Sequence, residues 1–165
     1  MARTEQDVRV AMDAIRRIVQ VIRETSRAAE KDVGLTGARL FVLQRLLAGG
    51  PATIGELAER TATHQSSVSV VVQRLVDSGL VSRGASADDR RRRVVTLTRR
   101  GRAVAERAPE LAQERLIAGL AALPATELRR LAASLNRVVV ALSPRGRTVP
   151  MFFEEPARPP RRRRA

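Results

Sequence analysis

Most of the chain follows the three-and-four spacing of amphipathic helices. From Thr4 to about Glu30, Val8, Ala11, Ile15, Ile18 and Ile22 recur at that spacing with Met12 and Val19 beside them. Arg9, Asp13, Arg16, Arg17, Arg23 and Glu24 occupy the other face, so one long amphipathic helix is predicted. Gly34 ends it, Thr36 is placed to cap the next helix, and Leu40, Leu43, Leu46 and Leu47 form that helix's stripe up to the Gly49-Gly50-Pro51 break. Thr53-Ile54-Gly55-Glu56 matches the S/T-x-x-E capping box and predicts a short helix through Leu57, Ala58 and Arg60.

The helix predicted from His64 to Asp77 is the most informative. Val68, Val71, Val72 and Leu75 define an inward face, and Ser66, Val70, Gln73 and Asp77 fall roughly opposite. Thr63 or His64 supplies the N-cap, which leaves a positive helix end suited to phosphate. Gly79 is placed as the C-terminal glycine. A short capped helix, a turn and a second helix with an exposed polar N-terminal half make the helix-turn-helix layout. After Gly79 the period changes to two: Leu80 to Arg83 and Val94 to Thr98 read as strands flanking a polar loop from Gly84 to Arg92, with Val95 and Leu97 on one side. Thr98 opens a helix with Val104, Leu111, Ile117 and Leu120 as apolar positions, which Pro109 should kink or interrupt. Past Pro124 and Glu127, the residues Leu128, Leu131, Leu135, Val138, Val139 and Leu142 carry a last amphipathic helix. The fold class expected is mainly α with a small two- or three-stranded β wing.

Charge sharpens this picture. The chain of 165 residues carries a formal charge of +14, which points to a polyanionic partner. Its placement matters more: residues 81–102 hold eight Arg against two Asp, and residues 144–165 hold seven Arg against two Glu. Lys31 is the only lysine, a skew that coding bias explains, but bias does not explain the clustering. There is no cysteine and one histidine. A zinc or iron site would therefore have to rely almost wholly on carboxylates, so no metal or other cofactor is expected. His64 is the only imidazole and lies at the start of the helix predicted to Asp77, and no Gly-rich phosphate loop is present, which argues against an enzyme. No signal-like segment or membrane-length apolar run is present, so a cytoplasmic protein without a membrane partner is expected. Residues 143–165, with prolines at 144, 150, 156, 159 and 160, are expected to be a disordered basic tail. Within it, Arg161 to Arg164 are as compatible with a passive end as with DNA binding, and Phe152 and Phe153 with docking as with no role.

Leu57-Ala58-Glu59-Arg60, Ser66-Ser67-Val68-Ser69, then GLVSR followed by Asp89-Arg90-Arg91 and Val95-Thr96-Leu97-Thr98-x-x-Gly101 resemble the MarR family of bacterial transcriptional regulators. The likeness spans about residues 5 to 142. It implies a single domain over 1–142, with a winged helix-turn-helix lobe at about 36–102 and dimerisation helices at about 5–31 and 103–142. It further implies a homodimer on a pseudo-palindromic double-stranded operator, repressing nearby genes until a small-molecule effector binds.

Carried over by position, Thr63, His64, Gln65, Ser66, Ser67, Ser69, Val70, Gln73 and Arg74 are the expected recognition-helix contacts. Arg91 is expected in the adjacent minor groove, with its guanidinium held by Asp89. Arg90, Arg92 and Arg93 are expected on phosphates. Thr61 and Thr63 stand where many members carry larger aliphatics. Val70 stands where a polar or basic residue is common; it could meet a thymine methyl. The alternative function is sequence-independent architectural DNA binding.

Overall fold

The computed structural model describes residues 2–86, 89 and 91–142. Arg90 and the tail, with Phe152, Phe153 and Arg161 to Arg164, lie outside the described residues. Among the described residues, seven helices and two strands follow one another: α1 (Ala2–Val33), α2 (Gly37–Gly49), α3 (Ile54–Arg60), α4 (Gln65–Asp77), β1 (Val81–Ala85), β2 (Arg93–Leu97), α5 (Arg99–Arg107), α6 (Ala112–Ala121) and α7 (Ala125–Leu142). The expected mainly helical architecture is present, and the wing, expected with two or three strands, is a two-stranded antiparallel sheet. The first helix starts two residues before the predicted Thr4 and ends three after the predicted Glu30, since helix ends extend past the turns that the apolar spacing marks. Pro109 does separate two helices, with α5 ending at Arg107 and α6 starting at Ala112.

By compactness the described chain forms two units, one of residues 2–37 with 108–142 and the other of residues 38–107. In the first, α1 packs against α6, and the Thr25 hydroxyl accepts the Ala112 backbone N–H at 3.3 Å near the start of α6. Gly34 closes α1 at a φ of 70°, its N–H bonded to the Glu30 carbonyl at 2.9 Å. The apolar stripe of α7 buries no residue.

In the second unit α2 is buried on most sides: Ala38, Leu40, Phe41, Val42, Leu43 and Leu46 are all nearly inaccessible, a wider set than the Leu stripe alone suggested. Leu57, Ala58, Val68, Val71, Val72 and Leu75 continue the core from α3 and α4. The strands pair with Val81 opposite Leu97 and Arg83 opposite Val95. A further rung joins Ala52 to Val95 through bonds of 3.1 and 2.7 Å. Val94 and Val95 are both buried, so β2 is covered on both faces at that point.

Candidate nucleic-acid interface

The α3–α4 pair is built from local signals. Thr53 and Glu56 form the full capping box: the Thr53 hydroxyl accepts the Glu56 N–H at 3.2 Å, and Glu56 Oε2 accepts the Thr53 N–H at 2.8 Å. The turn between the helices passes through Ala62 at a φ of 50°, a left-handed position that a side chain occupies only at a cost. Two bonds hold it there, from Ala62 N–H to the Glu59 carbonyl (3.1 Å) and from Thr63 N–H to the Ala58 carbonyl (2.9 Å). Thr61 is buried and satisfies its hydroxyl on the Leu57 carbonyl at 2.7 Å, which explains how a polar residue fills a place suited to an aliphatic.

His64 is the N-cap of α4 in extended conformation, but its side chain makes no capping bond. The expected outward face is exposed: His64, Gln65, Ser66, Gln73 and Asp77, with Val70 at 40%. Thr63, Ser69 and Arg74 are half-buried on its flanks. Gln73 donates to Asp77 at 2.8 Å along the helix. Ser67 corrects the expectation: at 7% exposure it sits inside, beside Val68 and Val71. The buried arc of α4 is wide enough to take in that position.

The wing grows directly from the end of α4. The Leu80 N–H bonds the Leu75 carbonyl and the Gly79 N–H the Val76 carbonyl, each at 2.9 Å, with Gly79 at a φ of 67°. That is the Schellman arrangement, and it aims the chain into β1. The Leu80 carbonyl then accepts the Thr98 N–H at 3.1 Å, while the Thr98 hydroxyl bonds the Gly79 carbonyl and caps α5 by accepting the Gly101 N–H at 3.0 Å. A Cβ on Gly101 would lie 1.9 Å from the Leu80 carbonyl oxygen. GLVSR and LTRRG are thus two halves of one junction, which closes only with glycine at 101.

At the wing tip the Ser86 N–H bonds the Arg92 carbonyl at 2.8 Å and the Arg92 N–H the Asp89 carbonyl at 3.0 Å. Asp89 also departs from expectation. Its carboxylate accepts the Arg91 backbone N–H at 2.9 Å, a short Asx-type reach two residues on, in place of the fork to the guanidinium. Arg91, Arg92 and Arg93 are exposed, as are Arg83, Arg99 and Arg102. The Arg92 guanidinium pairs with Glu56, a contact the sequence reading did not anticipate. The Glu56 carboxyl is held at a pKa of about 2, first by the Thr53 backbone bond and then by Arg92 and the Thr53 hydroxyl.

Separately, in the first unit, Arg17, Ile18, Val21 and Ile22 of α1 and Ala112, Arg115 and Leu116 of α6 line a cavity of about 350 Å³. Among the described residues no group of three or more His, Cys, Asp or Glu side chains could hold a metal ion, and no helix is long and apolar enough to cross a membrane.

Comparison with known proteins agrees with this geometry. A family model described as the MarR family matches residues 33–92. The chain is 35% identical over 124 residues to the HTH-type transcriptional repressor Rv2887 of Mycobacterium tuberculosis, an alignment covering 73% of this chain and 88% of that protein. Among solved structures, the transcriptional regulator BldR from Sulfolobus solfataricus is similar at 25% identity and a TM-score of 0.53, over 86% of this chain and 99% of that one. BpsR of Bordetella bronchiseptica, whose DNA binding is regulated by 6-hydroxynicotinic acid, is similar at 27% identity and a TM-score of 0.51, over 79% of this chain and 91% of that one. The chain belongs to the MarR family, whose members are DNA-binding transcriptional regulators and not enzymes.

Proposed function

We propose that this regulator is a homodimeric, sequence-specific repressor that leaves its operator when a small organic ligand binds. The observation that carries the reading is the exposed face of α4 from His64 to Ser66, presented in the same unit as an arginine-bearing wing. A helix with a small polar N-terminal half fits a major groove about 12 Å wide. Gln65 and Ser66 are then the leading base contacts, with Val70 against a thymine methyl and His64 near phosphate. Arg91 enters the neighbouring minor groove, where a narrow A·T-rich segment concentrates negative potential. Asp89 serves that contact by fixing the Arg91 backbone. Arg90 and Arg93 supply phosphate contacts without base preference.

Dimerisation is supported by α7, whose apolar stripe is exposed from Leu131 to Leu142, and by the exposed Val8, Met12 and Ile15 of α1. Covering them with a second copy gives a two-fold dimer and two reading heads. Repression is supported by the relative from Mycobacterium tuberculosis. Ligand control is supported by the α1–α6 cavity, where five apolar side chains and two arginines suit a small organic acid. If that assignment holds, an acid that releases the wild type from DNA loses its effect in Arg115→Ala, and an equal effect in both would refute it.

Selection of bound sequences from random duplexes, at two salt concentrations, tests the reading. A pseudo-palindrome with half-sites about one helical turn apart is expected. Equal recovery of unrelated duplexes would favour architectural binding instead.

A further inference from the structure

Arg92 sits among the arginines of the wing, yet its guanidinium is turned onto a carboxylate 36 residues earlier in the chain. That carboxylate is already fixed. Glu56 Oε2 accepts the N–H of Thr53 at 2.8 Å and bonds the Thr53 hydroxyl at 3.0 Å, leaving Oε1 for Arg92 Nη2. Exposed ion pairs ordinarily contribute little because two long side chains must be ordered together. Here the capping box has ordered one of them beforehand. A second tie lies close by, the backbone rung between Ala52 and Val95. The segment that opens α3 is therefore joined to the wing at two points, four residues apart on the segment and three on the wing, once by backbone and once by side chains. Since α3 packs on α4, the same segment links the wing loop to the helix pair.

We propose that Glu56 and Arg92 form a clasp that fixes the aim of the wing relative to the α3–α4 pair, so that both are positioning residues for DNA binding. The proposal builds on the wing's engagement with DNA described above and changes the role of Arg92 from phosphate contact to strut. It also assigns a negative side chain a favourable effect on binding to a polyanion. Charge alone predicts the reverse, since removing a carboxylate near DNA should strengthen the complex.

The test compares Glu56→Gln, Arg92→Gln, the double variant and Arg91→Ala on a duplex recovered by selection with the wild type. Gln at 56 keeps the capping box while removing the charge. Glu56→Gln and Arg92→Gln are each expected to weaken binding about five-fold or more, and the double variant no further than the weaker single. The slope of log affinity against log salt stays unchanged in Arg92→Gln, whereas loss of a phosphate contact would reduce it by about 0.9. Tighter or equal binding by Glu56→Gln, or a reduced slope in Arg92→Gln, would overturn the clasp. In the free protein, exchange of the Ser86 and Arg92 amide protons is expected to quicken in Glu56→Gln, because their bonds close the loop that the clasp holds. Unchanged exchange refutes the clasp whatever happens on DNA. Faster exchange with unaltered DNA affinity in both Glu56→Gln and Arg91→Ala refutes the wing's contact with DNA, and with it the proposal.

Discussion

The two units of the chain treat the same kind of pattern differently. In the unit of residues 38–107, the valines and leucine of α4 that repeat at three and four are fully buried, along with Leu40, Leu43 and Leu57. In the unit of residues 2–37 and 108–142, Leu135 is 46% and Val138 50% exposed on a helix with equally regular spacing, and on α1 the apolar Ile22 and Ala29 are buried while Val8, Val10, Met12, Ile15, Ile18, Val19 and Val21 are exposed. Periodicity identifies the apolar side of a helix and says nothing about what covers it. One unit finds its cover within the chain; the other leaves an apolar face uncovered.

The strongest way to break this contrast is to place charge on the uncovered stripe. Leu135→Asp with Val138→Asp should cost dimerisation about 3–5 kcal/mol, the scale of an uncompensated buried charge, and give monomers in sedimentation velocity. A dimer of unchanged stability would mean that α7 faces solvent. In the other unit, Gly101→Ala should destabilise the lobe by about 1–3 kcal/mol, read from denaturant unfolding, because a Cβ there meets backbone and not a yielding side chain. The dimer interface should be insensitive to it. A smaller effect of opposite sign is expected at Ala62: Ala62→Gly relieves a left-handed residue and should stabilise the lobe by about 1 kcal/mol in the same assay.

The least perturbing probe is pH. The Glu56 carboxyl titrates at about 2 in place of 4.5, so the stability it contributes is fully present above the unfolded value and is lost as pH falls through about 2. A carbon-detected titration of that carboxyl should show no protonation near pH 4. In Arg92→Gln its pKa should rise only part of the way, since the Thr53 backbone bond is the larger cause.

Most of the lobe was legible in the sequence because its signals are local. The capping box at Thr53 and Glu56, the glycine after Ser78 and the proline at 109 each act within a few residues, and each does what its chemistry dictates. The outward set Ser66, Val70, Gln73 and Asp77 followed from helical geometry alone. Ser67 was misplaced because three nearby serines were taken together, although the helix turns one of them into the core. Asp89 meets the backbone of Arg91 and not its guanidinium because a short carboxylate reaches the N–H two residues on within its own turn. The Glu56–Arg92 pair was invisible for a different reason. It joins residues far apart in sequence, and one arginine in a run of four carries no mark of which carboxylate it meets.

The central claim is that two copies read one operator. It is tested most directly by the mass of the complex on a duplex recovered by selection, measured by native mass spectrometry beside the same duplex with one half-site scrambled. Two chains per intact duplex are expected, with affinity reduced at least ten-fold on the scrambled one, within the range for several mismatched pairs of about 1–3 kcal/mol each. One chain per duplex, or equal affinity for both, would contradict the account.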